Sequence, residues 1–482
     1  MRSVRLGIMT ASACTGVFLM LSLSVQTQAE ESFVYDNNGN AVPSRAGYEA
    51  VRAVRGDELG CGNFSEPSDI FCDKNGEFFI ADTGNDRILR IDGNFTRASA
   101  EYSSFTDEKG NKLTLSSPSG IYVSDEELMY IADTENSRIL VSDMECNVKL
   151  VIERPNADMY ENETFRPEKI IADKDGNIYS IVSNTTGGAA FFKSNGEYCG
   201  NFGANSTEPT IKAVLSYFRK RFSTDKMRAS VSRSTPAGIT GFDIDTEGFV
   251  YTVSESDSVR SDRVKKINGA GINLFEGMGQ YFGADDMEHD INSRFVDIDV
   301  DDAGMMYCLD AAMGRILQYD ENGGLLFIFG EQSERLGGFS LQPTAIEAQG
   351  GSVYVTDSLK NSVIIFNETT FGETVRRASE LYNDGYYEEA LEPWYEVLRL
   401  DGNYEYAYRG ISSALLGKGD YKAAMEYAEL GGSSYHYNKA FKCYRDQWLE
   451  ENFKWIASCI VLIIILCVFI SKARKKREDK GE

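Results

Sequence analysis

Carboxylates are the side chains of this sequence most able to do chemistry, because histidine is nearly absent. The 482 residues include only two histidines, His289 and His436, so a metal centre that gathers several imidazoles cannot be built. A site made from carboxylate and Asn oxygens stays open, since Asp and Glu number 74. The sequence has no nucleophile elbow, no Walker loop and no dinucleotide fingerprint after a strand. We therefore assign no catalytic, cofactor-binding or metal-ligating residue from the sequence.

Three acidic segments resemble fragments of calcium-binding loops. They cover residues 173–177, 243–248 and 299–304, and each combines Asp with Gly over a few positions. None has the downstream Glu that an EF-hand requires. Asp-Gly and Asn-Gly are also the preferred turns of β-hairpins. We predict hairpin turns and no cofactor, with calcium as the alternative.

The charge of the chain restricts its partners. Its formal charge is −25, and without residues 1–29 and the tail 472–482 the remaining part carries about −30. Nucleic acid and anionic lipid head groups repel such a surface, so we predict no nucleic-acid partner. The acidity either keeps an exposed protein soluble or recruits cations and basic partners.

Both ends of the chain carry apolar segments. Arg2 and Arg5 precede an apolar stretch that closes on Ala29, which predicts a signal peptide over residues 1–29, with an uncleaved anchor as the alternative. Residues 455–471 predict a transmembrane helix, whose charge-free part spans roughly 24 Å. The basic tail, residues 472–482, is then cytoplasmic. We expect a single-pass protein of the cell membrane with its N-terminus outside.

Six similar segments fill the region between these ends. Each reads as a short strand, a turn rich in Asp, Asn and Gly, a stronger strand, a second turn and a third strand. One such sheet cannot bury both of its faces, so the pattern predicts a β-propeller of about six blades over residues 33–370. The segment from Phe33 has strand-like ends, and we expect it to close the ring by pairing with the last blade. The segments start at Pro67, Pro118, Pro167, Gly238, Phe295 and Pro343.

The turn after the second strand carries a repeated set of polar residues. Its pattern, Ala-Asp-Thr-x-Asn-x-Arg-Ile, resembles the NHL repeat, which implies a propeller fold and no particular activity. A residue needed once for catalysis has no reason to recur in several blades, so we interpret the set as structural. Later copies depart from the pattern, with Met313 in the Asn position and Ser362 in the Arg position. The set comprises Asp82, Asn85, Arg87, Asp133, Asn136, Arg138, Asp310, Arg315 and Asp357.

One insertion interrupts the repeats between Ala204 and Ala237. Its apolar residues recur at the spacing of an α-helix, and it is locally basic. It either docks a partner, gates the mouth of the propeller or caps one rim.

The period at which apolar residues recur changes from 2 to about 3.6 after Phe371, and a second sequence repeat appears. Its spacing of 34 residues resembles tetratricopeptide repeats, which implies a small all-α module over residues 371–454 that binds a protein partner near the membrane. Gly402 and Thr374 replace the expected Pro and Trp, so a generic helical stalk is the alternative. The matched pairs are Gly385 and Gly419, Tyr387 and Tyr421, and Ala390 and Ala424.

Two functions remain open after these steps. The first is an extracytoplasmic interaction or sensing scaffold for a protein or small ligand. Related architectures accompany bacterial carbohydrate importers, so the resemblance implies a transport accessory. The second is a lactonase-like hydrolase that holds a metal through three or four carboxylates at one depth of the propeller channel. We expect a scaffold more than an enzyme.

Overall fold

The structure is a computed structural model that describes residues 33–35, 41–157, 160, 164–185, 187–205, 238–255, 263–276, 282–285 and 291–478. The predicted signal peptide, His289 and residues 206–237 of the basic insertion lie outside this part. The described chain forms a six-bladed β-propeller followed by five helices.

Each blade is an antiparallel sheet whose strands follow one another in the chain. Three strands precede the first blade, β1 (Phe33–Tyr35), β2 (Ala41–Pro43) and β3 (Tyr48–Val54). Blade one consists of β4 (Pro67–Cys72), β5 (Phe78–Asp82), β6 (Arg87–Ile91) and β7 (Ala98–Tyr102), and the hairpin of β8 (Ser104–Thr106) and β9 (Lys112–Thr114) follows it. Blade two consists of β10 (Pro118–Val123), β11 (Met129–Asp133), β12 (Arg138–Ser142) and β13 (Val148–Ile152). Blade three consists of β14 (Pro167–Ala172), β15 (Ile178–Val182), β16 (Ala189–Phe192) and β17 (Tyr198–Phe202).

Blades four and six depart from this scheme, whereas blade five follows it. Within the described residues, blade four has β18 (Ile239–Ile244), β19 (Val250–Ser254) and β20 (Val264–Ile267). Blade five consists of β21 (Phe295–Val300), β22 (Met306–Asp310), β23 (Arg315–Tyr319) and β24 (Leu325–Phe329). The short parallel pair β25 (Glu331–Gln332) and β26 (Gly338–Phe339) links it to blade six, which has β27 (Pro343–Gln349), β28 (Ser352–Asp357) and β29 (Ser362–Glu368).

The second strand of a blade is deeply buried. In blades one to five, all five of its residues are buried. Both faces of this strand are covered by the neighbouring blades, so its sequence is mainly apolar and does not alternate between apolar and polar residues.

The ring closes through the segment that the sequence pattern indicated. Strand β3 pairs antiparallel with β29, so blade six contains both ends of the propeller chain. The strand that begins at Phe33 has a different place, because β1 pairs with β24 and extends blade five. Closure thus depends on the later part of the predicted segment.

Five helices follow the propeller. Helix α1 (Thr370–Asn383) begins after Thr369, whose side chain accepts a hydrogen bond from the Gly372 amide. Successive helices pack against one another. The remaining helices are α2 (Tyr387–Leu400), α3 (Glu405–Lys418), α4 (Tyr421–Leu430) and α5 (Ser434–Glu478).

The helices and the propeller share one hydrophobic core. The rings of Phe327, Phe371 and Tyr404 lie 5.6–5.9 Å apart between blade five and the helices. The Tyr404 hydroxyl donates to the Leu326 carbonyl at 2.9 Å. These contacts join β24 of blade five to α1 and to the turn before α3, and α1 also contacts β29 of blade six. The helices therefore cover one face of blades five and six.

Candidate functional site

The propeller has two faces, which differ in what they carry. We call upper the face that holds the turns between the second and third strands of each blade and the loops that join successive blades. The lower face holds the other turns. Asp320, in a lower turn of blade five, accepts a hydrogen bond from Tyr406 of α3. The helices therefore lie on the lower face.

The repeated polar residues lie on the upper face, each set within its own blade. The buried Asp82 carboxylate accepts hydrogen bonds from the Ser65 amide at 2.7 Å and from Asn85 and Arg87 at 2.8 Å each. Asp133 makes the same contacts with the Ser116 amide, Asn136 and Arg138 at 2.7–3.0 Å. Each carboxylate ties the preceding loop to the turn.

The later copies keep part of this arrangement. Asp310 accepts from the Arg294 amide at 2.9 Å and from Arg315 at 3.3 Å. Asp357 accepts from the Ser340 amide at 2.6 Å and from the Lys360 amide at 2.9 Å. The nine predicted residues thus belong to four separate networks and do not form one site. Their structural role stays a prediction.

The six residues of the tetratricopeptide-like pairs lie at helix contacts and turns. Ala390 and Ala424 are fully buried, and Tyr421 is half-buried. Gly385 and Gly419 adopt φ of +83° and +88°, a region that favours glycine. Tyr387 lies against Gly417 of α3, where an added Cβ would come within 2.4 Å of its ring. These positions fit close helix packing.

The turns considered for calcium are occupied by their own backbone. Asp173 accepts from the amides of Asp175 and Asn177 at 3.0 and 2.8 Å. Asp245 and Asp301 make equivalent bonds within their turns. Within the part of the chain that the structure describes, no group of three or more His, Cys, Asp or Glu side chains is arranged to hold a metal ion.

A buried ion-pair network crosses the channel, and sequence reasoning missed it. The Lys169 ammonium donates to Asp69 at 2.7 Å and to Asp297 at 2.8 Å. These residues occupy the third position of the inner strands of blades one, three and five. Burial disfavours the charge of Lys169, but the two carboxylates outweigh burial and raise its pKa. The sequence signal that could have revealed this network is a charged residue at the third position of each of these three inner strands.

The blades between these three carry small residues at the same position. They have Gly120, Gly241 and Ala345. A Cβ added to Gly241 would lie 2.5 Å from the Asp297 Cα. The alternation of charged and small residues therefore lets the three charges meet across the channel.

A second layer, two residues further along the inner strands, is divided in two. Blades four to six contribute Asp243, Asp299 and Glu347, while blades one to three contribute Phe71, Tyr122 and Ile171. A cavity of about 30 Å³, the volume of about one water molecule, lies among the inner strands. Asp243 and Asp299 belong to segments that the sequence suggested as turns, but both lie in inner strands.

Backbone groups of the next blade bind these carboxylates. Asp243 accepts from the Val300 amide and Asp299 from the Ala348 amide, each at 2.9 Å. The inner strand of a blade has no neighbour toward the channel, so its amides need such acceptors. Burial raises the pKa of Asp243 to about 7 and that of Asp299 and Glu347 well above the usual value. The layer can hold protons near neutral pH.

Comparison with known proteins yields remote likenesses only. No family model matches the chain, and no curated protein matches it. Among solved structures, virginiamycin B lyase from Staphylococcus aureus is 12% identical with a TM-score of 0.42, covering 67% of this chain and 100% of that chain. A gluconolactonase from Xanthomonas campestris is 12% identical with a TM-score of 0.39, covering 67% and 99%. The extracellular domain of a putative hybrid two-component system from B. thetaiotaomicron is 10% identical with a TM-score of 0.36, covering 66% and 42%.

Proposed function

We propose that this protein is a membrane-anchored scaffold that presents its propeller outside the cell for interaction or sensing. The observation that carries the proposal is helix α5, which runs without a break from the helical module into the apolar segment. Its 45 residues extend over roughly 68 Å. The part Ser434–Arg474 is long and apolar enough to cross a membrane, and its most apolar stretch is exposed.

Specific contacts tie the propeller to the helical module that leads into this helix. Arg376 of α1 pairs with Glu368 of β29 at 3.1 Å. Ser44 and the Arg45 amide bind the Asp401 carboxylate at 2.7 and 3.0 Å, which ties the N-terminal segment to the turn after α2. A propeller held in this way stands at a defined distance from the bilayer, as a scaffold requires.

The finer parts of the proposal rest on the sequence. They are a cleaved signal peptide, an NHL-like propeller, a tetratricopeptide-like module that binds a protein near the membrane, and a cytoplasmic tail. The most specific form of the proposal is an accessory role in carbohydrate uptake. It would be supported if a solute-importing complex is captured with the full chain and lost when the helical module is disrupted.

A labelling experiment tests the proposed orientation. Cys199 is exposed on the propeller, and Arg474 lies at the start of the tail. We expect a membrane-impermeant maleimide to label Cys199 in intact cells. In the Cys199→Ser background, Arg474→Cys should be labelled only after the cells are broken. Labelling of Arg474→Cys in intact cells, without labelling of Cys199, would refute the orientation.

A hydrolase in the channel is the second candidate. Asp243, Asp299 and Glu347 lie at one depth, as that hypothesis predicts. Their hydrogen bonds to backbone amides count against this hypothesis, because carboxylates occupied in this way are less able to bind a metal ion. Turnover of a lactone by the full chain, with a melting temperature that falls in chelator, would favour the hydrolase over the scaffold.

A further inference from the structure

A groove of about 700 Å³ opens on the upper face between blades five and six. Its walls are the loop from Gln332 to Leu341, the end of β3 near Arg55 and the turn of Leu359 and Lys360. The upper face lies opposite the helices. A partner bound here would therefore not collide with the helical module.

The wall of the groove is held in place by specific contacts. The Lys360 ammonium donates to the carbonyls of Ser333 and Gly338 at 2.7 and 2.8 Å. Below the loop, the buried Phe339 ring lies 5.8 Å from Phe366. Gly338 approaches Ser333 so closely that an added Cβ would lie 2.2 Å from its hydroxyl. The groove is therefore formed before any partner binds.

The groove concentrates positive charge in an acidic protein. Arg55 and Arg335 are exposed, and Lys360 is half-buried. Among the described residues, none of these three cations has a carboxylate within 4 Å, although Glu334 also lines the groove. Elsewhere, Arg87, Arg138 and Arg376 are paired. With Glu334 as the one carboxylate among its lining residues, the groove carries a net charge of +2 in a chain of charge −25, and this local field attracts an anion.

Exposed leucines surround these cations. Leu336, Leu341 and Leu359 are 53%, 66% and 57% exposed. A pocket for a small molecule usually encloses most of its ligand, whereas these side chains stand at an open rim. A cluster of exposed apolar side chains with a polar surround indicates a surface for a macromolecule. The occupant must cover leucines and neutralise cations together.

We propose that this groove binds an acidic, leucine-containing peptide segment of a partner protein. Carboxylates of the segment would pair with Arg55, Arg335 and Lys360, and its apolar side chains would cover Leu336, Leu341 and Leu359. Repulsion between two chains of charge −25 disfavours a second copy as the occupant. The position of the groove on the face opposite the helices disfavours an anionic lipid surface. The inference rests on the proposed scaffold function and names the chemistry of its partner.

The test uses the full chain in nanodiscs of uncharged lipid and two fluorescein-labelled peptides. One is a dodecapeptide of alternating Glu and Leu, and the other replaces Glu with Gln, which removes the charge without creating a basic peptide that the acidic surface would attract. We expect fluorescence anisotropy to show binding of the acidic peptide only, weakening as salt is added. The double variant Arg55→Glu and Arg335→Glu should weaken binding roughly tenfold or more. Leu341→Ser should weaken it by a smaller factor.

Lys112→Glu is the matched control, because Lys112 is an exposed cation on the β8–β9 hairpin, outside the groove. It should bind the acidic peptide like the wild type. Equal binding of both peptides, or unchanged binding by the double variant at an unchanged melting temperature, would overturn the inference. The inference would also be overturned if the double variant changed the oligomeric state of the protein, or its binding to anionic vesicles, and left peptide binding unchanged. Maleimide labelling of the same variants in cells tests the scaffold proposal separately from the peptide-binding proposal.

Discussion

At the scale of single residues, the most unusual feature is the lysine that stands between two carboxylates inside the propeller. Asp69 and Asp297 are buried, the side chain of Lys169 is 12% exposed, and the three residues satisfy one another. Removing one partner of a buried ion pair leaves a charge without compensation, which costs more than the pair contributed. The three residues therefore stabilise the propeller only as a set.

Lys169→Met should destabilise the protein by about 3–5 kcal/mol, because it leaves two buried carboxylates facing each other. The free energy of unfolding, measured with urea on the full chain in detergent, checks this value. Lys112→Met at an exposed position should change it by about 0.5 kcal/mol or less. Equal losses in the two variants would contradict the role of the buried lysine.

The second layer of carboxylates predicts how stability depends on pH. Burial, together with smaller contributions from nearby Asp297 and Asp245, raises the pKa of Asp243 from 3.8 to about 7. The folded state then holds this proton more tightly than the unfolded state, so stability is highest below about pH 4 for this group. It falls as pH rises from about 4 to about 7.

Thermal melting between pH 4 and pH 7 tests whether stability falls as the pH rises. The melting temperature should fall from pH 4 to pH 7, and Asp243→Asn should reduce the slope because Asn cannot ionise. Asp299 and Glu347 keep part of the slope, since the pKa of each is raised in the same direction. A slope that is the same in the variant would show that Asp243 does not hold its proton.

At the scale of elements, close contact between helices depends on small residues. Gly410 of α3 faces the buried Trp394 of α2, and an added Cβ would lie 2.5 Å from the indole ring. Gly402 lies in the turn between the same two helices, where an added Cβ would meet nothing within 4 Å. The same substitution therefore has different consequences at the two positions.

Gly410→Ala should cost about 1–3 kcal/mol, since the overpacked indole cannot move freely. This cost exceeds the gain in helix propensity, which is at most about 1 kcal/mol. Gly402→Ala should leave the melting temperature close to that of the wild type. A Gly410→Ala protein at least as stable as Gly402→Ala would mean that α2 and α3 pack less closely than the structure indicates.

At the scale of the whole molecule, helix α5 is the part of the described chain that is long and apolar enough to cross a membrane. Ile464 lies near the middle of the apolar part of α5 and is exposed. A lysine there should disfavour insertion by about 2.5–3.5 kcal/mol. Ile464→Lys should therefore move part of the protein from the carbonate-washed membrane fraction to the soluble fraction, and Ile464→Leu should not. Full retention of Ile464→Lys would contradict a membrane-crossing α5.

The sequence by itself determined the features that short-range patterns encode. Strand periodicity and Asp-Gly turns predicted the blades, because the alternation of side chains and the turn geometry are properties of a few neighbouring residues. The change of period after Phe371 predicted the helices for the same reason. The apolar run of residues 455–471 predicted a helix able to span a membrane, and the structure contains one.

Only the tertiary structure decided which residues meet inside the ring. Lys169 lies 100 residues from Asp69 and 128 from Asp297, and no local pattern relates them. The groove of blades five and six likewise combines Arg55 with Arg335 and Lys360 through ring closure. Contacts between blades depend on how separate sheets are arranged around the axis. That arrangement follows from burying every sheet face at once, which no single segment of the sequence specifies.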